Sequence, residues 1–93
     1  MQKEKLLEQI AKQVVRCKAC RLSRTRNKAV PGEGDVGSLI AFIGEGPGYN
    51  EDQMGRPFVG RAGDLLETLL RSIGTRREKV WISNVVKCRP PEN

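Results

Sequence analysis

The sequence predicts an α/β fold with a parallel sheet, and three observations carry that expectation. Leu39 to Ile43 is a short, continuously apolar run, as expected of a strand buried in a parallel sheet. Leu65, Leu66, Leu69, Leu70 and Ile73 then recur at helical spacing. Val80 to Val86, VWISNVV, is a second strand-like run. Strand, helix and strand in this order make one βαβ unit, whose strands lie parallel.

The elements follow in order. Leu6, Leu7, Ile10, Ala11, Val14 and Val15 share one face at helical spacing, with charges opposite, so residues 3–15 read as an amphipathic helix ending near Cys17. Residues 17–38 read as irregular, with PGEGDVG as a turn-rich connection. The first strand, 39–43, runs into a stretch rich in glycine and proline, GEGPGYNEDQMGRPFVGRAG, at residues 44–63. The leucine helix follows, with Gly74 as its left-handed stop. Thr75 to Glu78 has the pattern of a capping box on a single turn. After the second strand comes Cys88, and Pro90 and Pro91 forbid further regular pairing.

A chain of 93 residues suits a single domain over 1–93, and one βαβ unit with a leading helix has few strands for a complete sheet. The last residues, PPEN, read as the middle of a loop, so the expectation is a truncated domain.

The net charge of +6 favours a polyanionic partner or, equally, a well-solvated surface. The chain has no histidine, so proton transfer near neutral pH falls to carboxylates, backbone or water within these residues. MQKEKLLEQIAKQVV is too charged for a secretory signal or a membrane span, which places the protein in the cytoplasm, where thiols and metal–thiolate bonds persist.

In α/β folds ligands bind at the carboxyl ends of the strands, where the loop from Gly44 begins. Glycines there let the backbone approach a ligand closely. The spacing of Gly44, Gly46 and Gly48 is neither a dinucleotide fingerprint nor a phosphate-binding P-loop, and a tight structural turn accounts for it as well. Phe58, flanked by Arg56 and Arg61, suits stacking on a flat base while cations hold phosphates, or else plugs the core. Glu45, Glu51 and Asp52 are carboxylates beside a basic surface, fit to orient water or stabilise positive charge, or to act as caps. Asn84, near the end of the second strand, points to the same crevice if the strands are parallel. Its carboxamide offers an acceptor and donors for a base edge, or it satisfies loop backbone.

Cys17-Lys-Ala-Cys20 is a C-x-x-C, and Cys88 lies far along the chain. The pair follows a helix rather than opening one after a strand, which disfavours a thioredoxin-like pair and leaves metal binding or buried, inert thiols. Three thiolates are one short of the four of a closed zinc site or a cubane iron–sulfur cluster.

Together these residues resemble the family 4, iron–sulfur uracil-DNA glycosylases over nearly the whole chain. GEGPGYNEDQMGRPFVGRAG is similar to that family's first active-site motif, and CKAC, PGEG and SNVVKCRPPEN to its other N-terminal landmarks. The resemblance implies a three-layer α/β/α fold with a parallel sheet, of which only the N-terminal part is present. It implies DNA repair by a monofunctional N-glycosyl hydrolase, which flips uracil out of DNA and hydrolyses its glycosidic bond to leave an abasic site. Phe58 would stack on uracil and Asn84 would read its edge. Gly44, Glu45 and Gly46 would line the pocket, and Glu45 and Glu51 would serve water or the developing positive charge. Cys17, Cys20 and Cys88 would bind a [4Fe-4S] cluster whose fourth ligand is missing from this chain. The family's histidine motif is also absent here, so this chain by itself is expected to be inactive. The partner implied is uracil-containing DNA, with no membrane, and the chain is expected to be a monomer.

Two other readings compete. A non-enzymatic iron–sulfur or zinc module that binds nucleic acid fits the missing histidine and incomplete sheet. A redox domain built on the cysteines would tolerate changes in the glycine loop.

Overall fold

A computed structural model describes residues 2–93. Helix α1 (Gln2–Arg16) leads, as the apolar periodicity requires. Strand β1 (Glu33–Gly34), strand β2 (Ala41–Gly44), the short helix α2 (Tyr49–Met54), helix α3 (Arg61–Ser72) and strand β3 (Trp81–Asn84) follow. Single 3-10 turns occupy Arg21–Arg24 and Arg77–Lys79.

The expected βαβ unit is present. Strands β2 and β3 pair in parallel, with Phe42 opposite Ile82 and Gly44 opposite Asn84. The sheet is nevertheless mixed, in the order β1-β3-β2, because β1 pairs antiparallel with β3. The two-residue β1 lies within the 17–38 stretch read as irregular. Its Glu-Gly sequence carries no strand propensity, and pairing to the central β3 alone makes it a strand.

Both predicted strands are trimmed. Leu39 is wholly exposed, and pairing begins where the Trp81 N–H donates to the Ile40 carbonyl at 3.1 Å. In β2, Phe42 and Gly44 are half-buried while Ala41 and Ile43 are exposed, so this edge strand is covered on one face rather than two. That face meets α3. Leu66 and Leu70 of the helix pack with Val80 and Ile82, and Phe42 and Phe58 flank the cluster. Burying a side chain such as Leu70 or Ile82 contributes about 1.5–3 kcal/mol. Helix α1 buries no residue fully, but Leu7 and Ala11 line a groove with Gly32, Gly34 and Trp81 beside the β1 edge.

Gly74 takes φ of 81° as expected. The Gly74 N–H donates to the Arg71 carbonyl and the Thr75 N–H to the Leu70 carbonyl, a Schellman pair that closes α3. The capping box expected at Thr75 to Glu78 does not form. The turn starts later, its N-cap is Arg76, and no side chain caps it. Thr75 is instead drawn into closing the preceding helix.

Candidate functional site

The parallel register sets the site. It brings Gly44 and Asn84 side by side at the carboxyl ends of β2 and β3, on the face that carries Phe42 and Ile82. A cavity of about 410 Å³ opens there. Of the residues singled out in the sequence, Gly44, Glu45, Gly46, Glu51, Phe58 and Asn84 all line it, joined by Arg61 and Tyr49.

Three groups crowd together at its floor. A β-carbon on residue 44 would lie 2.5 Å from Asn84 Oδ1 and 2.8 Å from Phe58 Cζ, so glycine is required for the ring and the carboxamide to meet. Asn84 is 3% exposed, yet its carboxamide has no hydrogen-bond partner among the described residues. Its backbone is pinned instead. The Lys87 ammonium donates to the Asn84 carbonyl and to Ser83 Oγ, and burial lowers the Lys87 pKa from its usual range. An unclaimed amide at a cavity wall is free to pair with a ligand's donor and acceptor edge.

Phe58 is the one non-glycine residue with positive φ, 52°, among the described residues. A bulky residue there is strained. Its carbonyl accepts from Arg77 Nη1 at 2.8 Å, and that of Pro57 accepts from Arg77 Nη2 at 2.7 Å. Arg77 is buried, and its charge is met by Glu33 at 3.2 Å and Glu67 at 3.5 Å. The first turn of α3 also comes so close that a β-carbon on Gly63 would overlap the Phe58 carbonyl. Arg77 was not singled out in the sequence, where Thr75 to Glu78 reads as a capping box.

The acids divide. Glu51 Oε1 accepts the Gly48 N–H at 3.0 Å, and Oε2 accepts those of Val59 at 2.9 Å and Gly60 at 3.0 Å. Burial pushes the Glu51 carboxyl up, and these backbone bonds outweigh it and hold the group below the usual carboxylate range. Its oxygens therefore tie together the two ends of the loop that carries Phe58. Asp52 is 1% exposed and accepts from the Asn27 and Lys28 N–H groups and from Asn27 Nδ2, which fixes α2 to the segment after Arg24. Glu45 is exposed at the cavity, and its carboxylate meets no partner among the described residues. It is the carboxylate left available to a ligand.

The rest of the rim is cationic and aromatic. Arg61 lines the cavity, and Arg89 sits over the Tyr49 ring, 5.5 Å from its centroid. Asn93 Nδ2 donates to the Pro47 carbonyl at 2.9 Å, tying the end of the described chain to the glycine loop.

The cysteines gather at a second place. Cys17, Cys20 and Cys88 line one apolar cavity of about 180 Å³ with Val14, Leu22, Val86 and Lys87. Among the described residues no three His, Cys, Asp or Glu side chains form a group that could hold a metal ion. The three thiols nevertheless border one cavity, and three is one short of the four thiolates of a cubane cluster. Donors to sulfur are also present. Arg26 Nη1 lies 3.0 Å from Cys88 Sγ and the Ala19 N–H 3.5 Å from Cys17 Sγ, and such bonds tune clusters held by thiolates. The donor set therefore fits the group in kind. Val86 joins the two sites, since it lines the thiol cavity and is the nearest contact of a β-carbon at Gly46.

Comparison with known proteins adds a family. Residues 31–93 match the uracil DNA glycosylase superfamily. A type-4 uracil-DNA glycosylase of Thermotoga maritima is 56% identical over 91 residues, covering 98% of this chain and 47% of the relative. Namesakes from Sulfurisphaera tokodaii and Archaeoglobus fulgidus are 54% and 51% identical, each over 94% of this chain and over 40% and 44% of their own lengths. The chain thus spans about half the length of these relatives or somewhat less.

Proposed function

The chain belongs to the uracil DNA glycosylase superfamily, and from that premise we propose that it carries the base-recognition half of a site that removes uracil from DNA. The observation that carries the reading is the meeting of Phe58 with the unclaimed Asn84 carboxamide at Gly44, in a cavity wide enough for a flipped base. The Phe58 ring stacks on the uracil face. The Asn84 carboxamide accepts the uracil N3–H and donates to O4, whereas cytosine, with its reversed edge, requires the amide turned over.

Cleavage of the glycosidic bond leaves negative charge on the departing base and positive charge on the sugar. Glu45 is the carboxylate placed to meet that positive charge or to orient water, because its oxygens are uncommitted. Glu51 acts as a positioning residue, since its oxygens already bind three backbone N–H groups. Cys17, Cys20 and Cys88 would hold a [4Fe-4S] cluster, which would cross-link the end of α1 to the segment after β3. Uracil-containing DNA is the partner, and the segment 16–28 supports this with Arg16, Lys18, Arg21, Arg24, Arg26 and Lys28 and no acid. No helix among the described residues is long and apolar enough to cross a membrane.

The test is a titration of this chain with free uracil, cytosine and thymine, followed through the backbone amides of Gly44, Phe58 and Asn84, beside an excision assay on a uracil-containing oligonucleotide. Saturable shifts with uracil and none with cytosine support the reading. Equal response to uracil and cytosine overturns it and leaves a nucleic-acid-binding module with a metal site.

A further inference from the structure

We infer that Arg77 is the positioning residue of the stacking ring: its buried guanidinium clamps the Pro57 and Phe58 carbonyls and so holds the Phe58 ring over Gly44 beside Asn84. This rests on the reading of Phe58 as the ring that stacks on the base.

Phe58 sits at φ of 52°, which a side chain of this size avoids unless its surroundings impose it. The ring meets Gly44 from that strained backbone geometry, so something must hold the geometry in the absence of a base. Beside the packing of the ring against the core cluster, two contacts act on the backbone. The glycine face of α3 at Gly63 leaves room for the Phe58 carbonyl, and Arg77 takes that carbonyl and its neighbour with two separate nitrogens at 2.8 and 2.7 Å.

Arginine is the side chain suited to this task. Its planar guanidinium presents several N–H groups in a fixed fork, whereas a lysine ammonium is a single mobile point. A buried cation is costly unless it is paired. Glu33 and Glu67 meet it, and Glu33 is itself held by Arg56 through two hydrogen bonds of 2.8 Å. Arg56 and Phe58 lie in one loop, so Glu33 links both the clamp and the loop to strand β1.

The experiment uses the 93-residue chain and reads ring placement without any ligand, through nuclear Overhauser effects between the Phe58 ring protons and the Gly44 α-protons. The variants are R77M and R77K, with V30A as a buried substitution outside the loop. The expected result is that both Arg77 variants keep dispersed amide spectra but no Phe58–Gly44 effect, and that V30A keeps the effect despite a lower melting temperature. Uracil dissociation constants should then rise roughly ten-fold in R77M, within the worth of one stacking interaction. The proposal is overturned if either folded Arg77 variant keeps the Phe58–Gly44 effect at full intensity, or if V30A abolishes it equally. Should R77M not fold, R77K, which retains the charge but not the fork, decides the matter. If the unaltered chain binds no uracil, the uracil reading fails on its own, while the ring placement still tests the clamp.

Discussion

Gly44 and Asn84 face each other across the parallel pair, and a β-carbon on residue 44 would stand 2.5 Å from Asn84 Oδ1. The same carbon would meet Phe58 Cζ at 2.8 Å. One missing side chain thus allows two others to converge on a common ligand.

Gly44→Ala should therefore abolish base binding while sparing the fold. The strand geometry at Gly44 accepts alanine, so only the carboxamide and the ring need move. The expected outcome is a loss of uracil binding of ten-fold or more, with a stability change of about 1–3 kcal/mol from overpacking. Uracil titration and thermal melting on the same sample separate the two effects.

Phe58→Ala and Asn84→Asp should weaken recognition in different ways. Removing the ring costs about 1–3 kcal/mol of stacking and affects every base alike. Asn84→Asp removes the donor to O4 and keeps an acceptor, so discrimination between uracil and cytosine should collapse while binding of uracil-free DNA holds. Competition between the two bases for each variant gives the answer. Unchanged selectivity in Asn84→Asp would remove Asn84 from the site.

Much of this site was legible because it depends on local chemistry. The glycines after Leu39–Ile43 and the Asn ending VWISN each sit at a strand end, and a parallel pairing alone brings them together. What stayed hidden depends on tertiary structure. Arg77 lies in a charge run, and nothing in TRREK marks which of its cations turns inward to meet carbonyls 19 and 20 positions earlier. Glu51 carries the pattern of a residue that binds the N–H three positions back, but its bonds to Val59 and Gly60 need the loop to fold over. Strand β1 was missed because Glu-Gly becomes a strand only by pairing with β3.

Acid should loosen the loop before it unfolds the sheet. Burial raises the Glu51 carboxyl, backbone N–H groups lower it more, and the net position is below its ordinary value of 4.5. Asp52 likewise lies below 3.8, burial being outweighed by the bonds from Asn27 and Lys28. A depressed carboxylate adds stability that is full above its unfolded value and is lost as the pH falls through the folded one. Melting temperature should hold above about pH 5 and decline below the ordinary carboxylate range. Glu51→Gln should cost about 1–3 kcal/mol at neutral pH, because an amide cannot accept at both ends. It should also flatten the acid limb, and an identical limb in the variant would show that Glu51 does not contribute.

Salt should reveal the basic segment. Each phosphate that a cation neutralises adds roughly 0.7–0.9 to the slope of log affinity against log salt, so removing the cation lowers the slope by that amount. Arg21, Arg24 and Lys28 are exposed and lie in a run with no acid. Their joint replacement by alanine should reduce the slope by about two for uracil-free single strands. Replacing Lys3, Lys5 and Lys12 of α1 removes the same charge and should leave the slope nearly unchanged. Equal reductions would mean that net charge alone attracts DNA.

Metal content should follow the thiols. The chain purified without oxygen is expected to show broad visible absorbance and about four irons, the signature of a cubane cluster. Cys88→Ser should remove both, because Cys88 is the buried thiol and the one that Arg26 meets at 3.0 Å. Loss of metal should also reach the base site, since Val86 borders the thiol cavity and lies beside Gly46, and Lys87 joins that cavity to the Asn84 carbonyl. The measurable consequence is a shift of the Gly46 and Asn84 amide resonances on chelation, together with a lower melting temperature. A colourless protein holding zinc would replace the cluster with a zinc site at the same cysteines. Protein free of metal, with resonances indifferent to Cys88→Ser, would leave Cys88 as a packing residue and Cys17 and Cys20 as exposed thiols.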